Sequence, residues 1–256
     1  MALNPMHQFE VSPILPFVVG GFDLSITNQA LWTGIATSAI ILFLLLGIRK
    51  MAMVPGRMQA FVELTFEFVQ NMTQKTAGRD AMAFFPLILT TFLFLAGLNL
   101  IGMIPHSFTA TSQITTTAYM GALVFLLVVG VGVYKQGLHF FAMFLPKGTP
   151  WWLIPLMVPL EIISFLVRPA TLAVRLAANM VAGHVLLKVF AAFCIMLLGF
   201  TLDGGGELNL ALAPTAIIPL FLLVSITALE VFVALLQAYV FTVLTCVYLN
   251  MSLHGH

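Results

Sequence analysis

PLEIISFLVRPATLAVRLAANMVAGHVLLKVFAAFCIMLLG, residues 159–199, is an apolar run interrupted by Glu161, Arg168, Arg175, Asn179, His184 and Lys188. As one helix it would measure about 60 Å, against a bilayer hydrocarbon core of roughly 30 Å. An ionisable side chain inside such a segment is expensive and persists where it faces protein, water or an ion path. Arg175 lies far from either end of the run and is therefore the residue to explain. On an ideal helix Glu161, Arg168 and Arg175 follow at seven-residue spacing with about 20° of drift per step, and Asn179 comes one turn later. These four share a stripe, whereas His184, nine residues past Arg175, points to the other side.

The rest of the 256 residues has the same character, with 61% hydrophobic and 7% Asp, Glu, Lys and Arg. A soluble domain carries about 25% charged residues, so this composition indicates an integral membrane protein. From Ala81 to Tyr134 there is no Asp, Glu, Lys or Arg at all, which is room for two spans and a short turn. The apolar runs far exceed the roughly 10-residue alternating segments of a membrane β-barrel, so the fold class is all-α. Cys194 and Cys246 both lie in apolar segments and read as small buried hydrophobes, not as a disulfide or metal pair. No metal or cofactor is expected. The formal net charge is +1 and the basic residues form no patch, so nucleic acid is not an expected partner.

Taken in order, residues 1–29 form a lead-in broken by Pro5, Pro13 and Pro16, with a turn at Gly20-Gly21. They hold Glu10 and Asp23 but no Lys or Arg, lack the positive region of a cleavable signal, and are read as retained. A first span, 30–48, ends at Arg49-Lys50. In residues 57–77 Met58, Phe61, Val62, Thr65, Phe68, Val69 and Met72 make one face and Gln59, Glu63, Glu67, Gln70, Asn71 and Lys75 the other, which predicts an amphipathic surface helix in preference to a span. Further spans are expected at 82–104 and 118–133. Thr90 and Thr91 read as structural hydrogen-bonders. Trp151-Trp152 supply an interfacial anchor before the long segments 159–199 and 213–248, and Asn250 to His256 read as a tail. At about 60 and 53 Å these two segments exceed what ordinary tilt absorbs, so they must bend or lie steeply inclined. The expectation is a single membrane domain over 1–256, with about five membrane-embedded helices, one amphipathic surface helix and two long tilted C-terminal helices.

Five spans with Arg49-Lys50 inside put Arg49, Lys50, Arg57, Lys75, Arg79, Lys135 and Lys147 in cytoplasmic connections and no basic residue in outer ones. Glu10, Asp23, Asp203 and Glu207 then lie outside. The asymmetry predicts an outer amino terminus and a cytoplasmic carboxyl terminus.

The segment Arg175-Leu-Ala-Ala-Asn179-Met-Val-Ala-Gly183-His184, taken with Glu230 and Gln237 on the last apolar segment, resembles the membrane-embedded a subunit of F-type ATP synthases. The likeness covers nearly the whole chain, including the amphipathic stretch and the 86–105 segment with Asn99. Histidine after the arginine and glutamate on the last helix resemble the alphaproteobacterial and mitochondrial arrangement; many bacterial members hold the pair reversed. The resemblance implies that Arg175 meets a carboxylate on each subunit of a rotating c-ring, with residues 159–199 and 213–248 following the ring's curve. It implies that His184 and Glu230 serve the outer half-channel, and chemistry agrees, since histidine titrates near neutral pH and a hydrated glutamate can pass a proton. Asn179 reads as an orienting hydrogen-bond partner and Gln237 as polar packing whose family counterpart approaches the arginine. Asn99 reads either as a structural side chain or as part of the outer path. Glu161 and Arg168 are candidates for the cytoplasmic exit, Arg168 equally for a snorkelling interface arginine. Implied partners are the c-ring, subunit b or a b/b′ pair of the peripheral stalk, the other ATP synthase subunits, membrane lipids and protons. The implied location is a bacterial inner membrane in preference to a mitochondrial one. No nucleotide-binding glycine loop occurs, so this chain is noncatalytic for ATP chemistry and contributes to it as part of the complex. The competing readings are a multi-pass secondary ion transporter, for which no internal repeat is found, and the sodium-coupled form of the same subunit.

Overall fold

The computed structural model describes residues 10–16, 18–19, 22–23, 25–49, 52–104, 107–137, 151–197 and 217–254. Six helices dominate them: α1 (Asn28–Ile48), α2 (Arg57–Ala77), α3 (Phe85–Gly102), α4 (Ile114–Gln136), α5 (Ile154–Leu197) and α6 (Ile217–His254). Short 3-10 turns at Asp80–Phe84, Ala110–Ser112 and Trp151–Leu153 lead into α3, α4 and α5. Among the described residues five segments are long and apolar enough to cross a membrane: Asn28–Ile48, Asp80–Gly102, Ile114–Gln136, Ile154–Met196 and Ile217–Leu253. The all-α membrane fold expected from composition is the one found.

Local chemistry sets the ends. The Thr27 hydroxyl accepts from the Ala30 N–H at 3.3 Å and caps α1. α2 stops at Gly78, whose φ of +78° suits a residue without a side chain. Pro86 lies in the first turn of α3, where its missing N–H costs nothing. Pro159 and Pro169 are inside α5, a placement tolerated where neighbouring helices satisfy the freed backbone.

α6 is the packing centre, in contact with α3, α5, α4 and α2, while α1 lies against α3 and α2. The core joins Val69 of α2, Ile88 and Leu95 of α3, Val124 of α4, Leu176 of α5 and Phe241 and Cys246 of α6. The outward faces are equally apolar. On α1 only Ala36 and Gly47 are buried, and Leu31, Ile35, Ile41, Leu42 and Leu45 are exposed. Such faces are stable against lipid, which is as apolar as the side chains themselves. Polar groups in the spans turn back onto their own helices: Thr90 donates to the Pro86 carbonyl, Thr91 to Leu87, Thr242 to Ala238 and Thr245 to Phe241.

Three features depart from expectation. The lead-in contains two small antiparallel ribbons, β1 (Pro13–Leu15) with β4 (Ile26–Thr27) and β2 (Val18–Val19) with β3 (Phe22–Asp23), the second pair nested in sequence inside the first. The expected turn at Gly20-Gly21 falls outside the described residues. α5 begins at Ile154, five residues before the expected 159, because Pro155 fits a first helical turn. α6 runs to His254, beyond the expected 248, so Asn250 to His254 are helix and not tail. Neighbours hold that extension: Asn250 Nδ2 donates to the Thr76 carbonyl at 3.3 Å and Gln136 Nε2 to the Ser252 carbonyl at 2.8 Å. Residues 198–199 and 213–216, with Asp203 and Glu207, lie outside the described residues.

Candidate functional site

α5 and α6 pack antiparallel. Leu172 shares a hollow with Phe241, Thr245 and Tyr248, whereas Gly183, eleven residues later, meets Glu230, eleven residues before Phe241. The second meeting is close. A Cβ added to Gly183 would stand 2.5 Å from Glu230 Oε1 and 2.8 Å from its Cδ, so the missing side chain makes the space the carboxyl occupies. His184 follows directly, and its Nε2 is 3.9 Å from Glu230 Oε1. The same nitrogen lies 2.9 Å from Thr109 Oγ1, in the segment between α3 and α4. Thr109 Oγ1 in turn donates to the Gly102 carbonyl at 2.9 Å. Glu230 is buried, and neither carboxyl oxygen has a hydrogen-bond partner among the described residues. Lys188, half-buried, stands one helical turn past His184.

Arg175 is on the other side of α5. It is exposed, as is Asn179, while Leu172, Ala173, Leu176, Ala177 and Met180 bury the opposite face. Its hollow is lined by Thr171, Leu172, Leu244, Val247 and Tyr248. Among the described residues no carboxylate pairs with it. From Arg175 to His184 is about 13.5 Å along the helix and half a turn around it.

Asn99 is fully buried and its Nδ2 donates to the Ala234 carbonyl at 3.0 Å, tying α3 to α6 one turn past Glu230. Gln237 is also buried, with no partner for Nε2 among the described residues, and it is not among the residues lining the Arg175 hollow. Glu161 is half-buried near the start of α5; the Arg168 side chain lies outside the described residues. The structure thus brings His184 and Glu230 together, and sets Arg175 and Asn179 on a separate face. Asn99 Oδ1, Thr111 Oγ1, both Glu230 oxygens and Gln237 Nε2 are buried without partners among the described residues. Such atoms are rare in native folds, and each calls for a water, an ion, strain or a functional role. No group of three His, Cys, Asp or Glu able to hold a metal occurs among the described residues.

Thr109 and Gly102 were missed from sequence. The Ser/Thr-rich, charge-free stretch around them was visible, but nothing in it marks which hydroxyl reaches His184. A pairing across 75 positions depends on how α3 ends.

The family described as ATP synthase A chain matches residues 30–250. ATP synthase subunit a of Parvibaculum lavamentivorans is 48% identical over 255 residues, 99% of this chain and 95% of that one. The subunit a of Rhodopseudomonas palustris is 44% identical over 258 residues, covering 100% of both chains. That of Agrobacterium fabrum is 46% identical over 255 residues, 100% of this chain and 99% of its own. With the match running from the third residue of α1 to within four residues of the end of α6, the chain belongs to the ATP synthase A chain family.

Proposed function

We propose that this chain is the stator that carries protons to and from a c-ring in an F-type ATP synthase, with Arg175 facing the rotor carboxylate and His184 and Glu230 in the outer half-channel. The observation that carries it is the exposed Arg175 within an apolar 44-residue helix, with no carboxylate paired to it among the described residues. Its guanidinium stays charged at any relevant pH and cannot relay a proton. It can attract an acid presented from outside the chain, by roughly 4 kcal/mol at 4 Å in an effective dielectric of 20. That holds the visiting carboxylate ionised and blocks a direct leak.

His184 lies half a turn away on the same helix, with Glu230 reaching it from α6, so protonation and release occur at different places. A proton from the outer side passes His184 and Glu230, neutralises a rotor carboxylate, travels with the ring and leaves on the cytoplasmic side, where Glu161 and Arg168 line the exit. Asn179 orients groups beside Arg175. Gln237 and Asn99 supply polar positions between the helices. α2 lies along the cytoplasmic surface, the amino terminus is outside and the carboxyl terminus inside a bacterial inner membrane. The peripheral stalk, subunit b or a b/b′ pair, holds the chain still.

The test is paired measurement in vesicles holding verified amounts of the Arg175→Ala chain and its c-ring. ATP-driven pumping is expected to vanish while passive proton flux through the membrane sector persists. Normal coupled pumping would sink the role of Arg175. A defect in solute exchange that needs no c-ring would favour a secondary transporter instead.

A further inference from the structure

We infer that Thr109 is a positioning residue for His184: tied to the Gly102 carbonyl, its hydroxyl holds the Nε2 edge of the imidazole toward the Glu230 carboxyl. This rests on the half-channel reading above and names a part of it that the motif residues do not contain. A threonine hydroxyl has one proton and two lone pairs. With the proton directed to Gly102 O at 2.9 Å, the oxygen is free to accept from His184 Nε2 at 2.9 Å. In that arrangement Nε2 carries the hydrogen, and the same edge lies 3.9 Å from Glu230 Oε1.

The terminal torsion of a histidine is broad and roughly two-fold, so packing alone does not select which edge of the ring faces α6. A hydrogen bond to one nitrogen does. The hydroxyl also serves both states of the ring. It accepts when Nε2 is protonated and, by rotating from Gly102, donates when Nε2 has given its proton up. Around His184 stand Glu230 from α6, Lys188 from its own helix, and Thr109 with the Gly102 carbonyl from the end of α3. Thr109 is itself only 3% exposed, so bulk water does not compete for the contact. Gly102 makes it possible, since a Cβ there would stand 2.8 Å from Thr109 Cγ2 and 3.3 Å from its Oγ1.

The experiment uses the whole ATP synthase in inverted membrane vesicles, with subunit amounts matched by immunoblot. It reads ATP-driven pumping and, after removal of the ATP-hydrolysing sector, passive proton flux. Thr109→Val keeps the shape and loses the hydroxyl; Thr109→Ser keeps the hydroxyl and loses the methyl. We expect Thr109→Val to lower flux about tenfold or more and Thr109→Ser to recover it to within about twofold, since misplacing a reacting group by an ångström can cost up to about 10²-fold. Gly102→Ala, which leaves the hydroxyl but displaces it, should resemble Thr109→Val. In a His184→Ala background Thr109→Val should add no further loss, since the two act as one unit. Wild-type flux in Thr109→Val, equal defects in the Val and Ser variants, or full additivity with His184→Ala would each overturn the inference. So would a Thr109→Val chain that cannot enter the complex beside a Thr109→Ser chain that can. Wild-type flux in His184→Ala sinks the half-channel reading itself, whereas a defective His184→Ala beside a normal Thr109→Val sinks only the role of Thr109.

Discussion

Glu230 is held between a glycine and a histidine, and the two neighbours do different things. Gly183 gives it room, and His184 gives it a polar group to face. Two substitutions separate space from chemistry. Glu230→Gln keeps the size but does not titrate, so passive flux is expected to fall on the order of 10²-fold, the usual worth of a positioned acid or base, with assembly intact. Gly183→Ala leaves the acid and drives its carboxyl aside, and should lower flux about tenfold. Wild-type flux in assembled Glu230→Gln vesicles would remove Glu230 from the path. Normal flux in Gly183→Ala would show that the carboxyl can sit elsewhere and still work. Arg175 and His184 stood out in the sequence because a charged or titratable group inside an apolar run is unusual enough to mark itself, and Glu230 entered through the family resemblance. Thr109 did not stand out, because hydroxyls in a Ser/Thr-rich connection are common and only the fold selects the one that reaches His184.

Among the elements, existence was legible and extent only in part. Long apolar runs announce spans because water would otherwise meet them, and α1, α3 and α4 lie within a few residues of 30–48, 82–104 and 118–133. The last turns of α6 are different. Asn250 and Ser252 are too polar to be read as span, and they remain helical where Thr76 and Gln136 provide partners from α2 and α4. The tie between Asn99 and the Ala234 carbonyl is likewise tertiary, and it makes a prediction about α3 and α6. Asn99→Ala removes a bond inside the membrane worth roughly 1–2 kcal/mol and leaves a small gap, so the detergent-solubilised complex should melt at a lower temperature. If Asn99 acts in the outer path alone, proton flux will fall while the melting temperature stays put, and the structural role is then wrong.

At the scale of the whole chain the charge asymmetry makes the strongest commitment. Seven basic residues fall in the connections assigned to the cytoplasm and none in those assigned to the outside, so single cysteines at Gly56 and Lys147 should label from the cytoplasmic face and one at Gly205 from the outer face. Cys194 and Cys246 are buried, which keeps background labelling low. Labelling of positions 147 and 205 from the same side would rule out the five-span arrangement. The bundle itself, centred on α6, was not legible in the sequence. Helix order along a chain says which segments are neighbours in sequence, whereas α6 gathers α2, α3, α4 and α5 around it through contacts spread over the whole length.

The half turn between Arg175 and His184 bears on what can happen to this gene. Nine residues of helix put the arginine and the imidazole on opposite faces, and one inserted or lost codon between them turns His184 by about 100° away from Thr109 and Glu230. Apart from Asn179 and Gly183, spelling between the two positions is free to drift among apolar residues of suitable size; length is not. Viable descendants should therefore differ here by substitution and carry their insertions and deletions in the connections outside the two long helices.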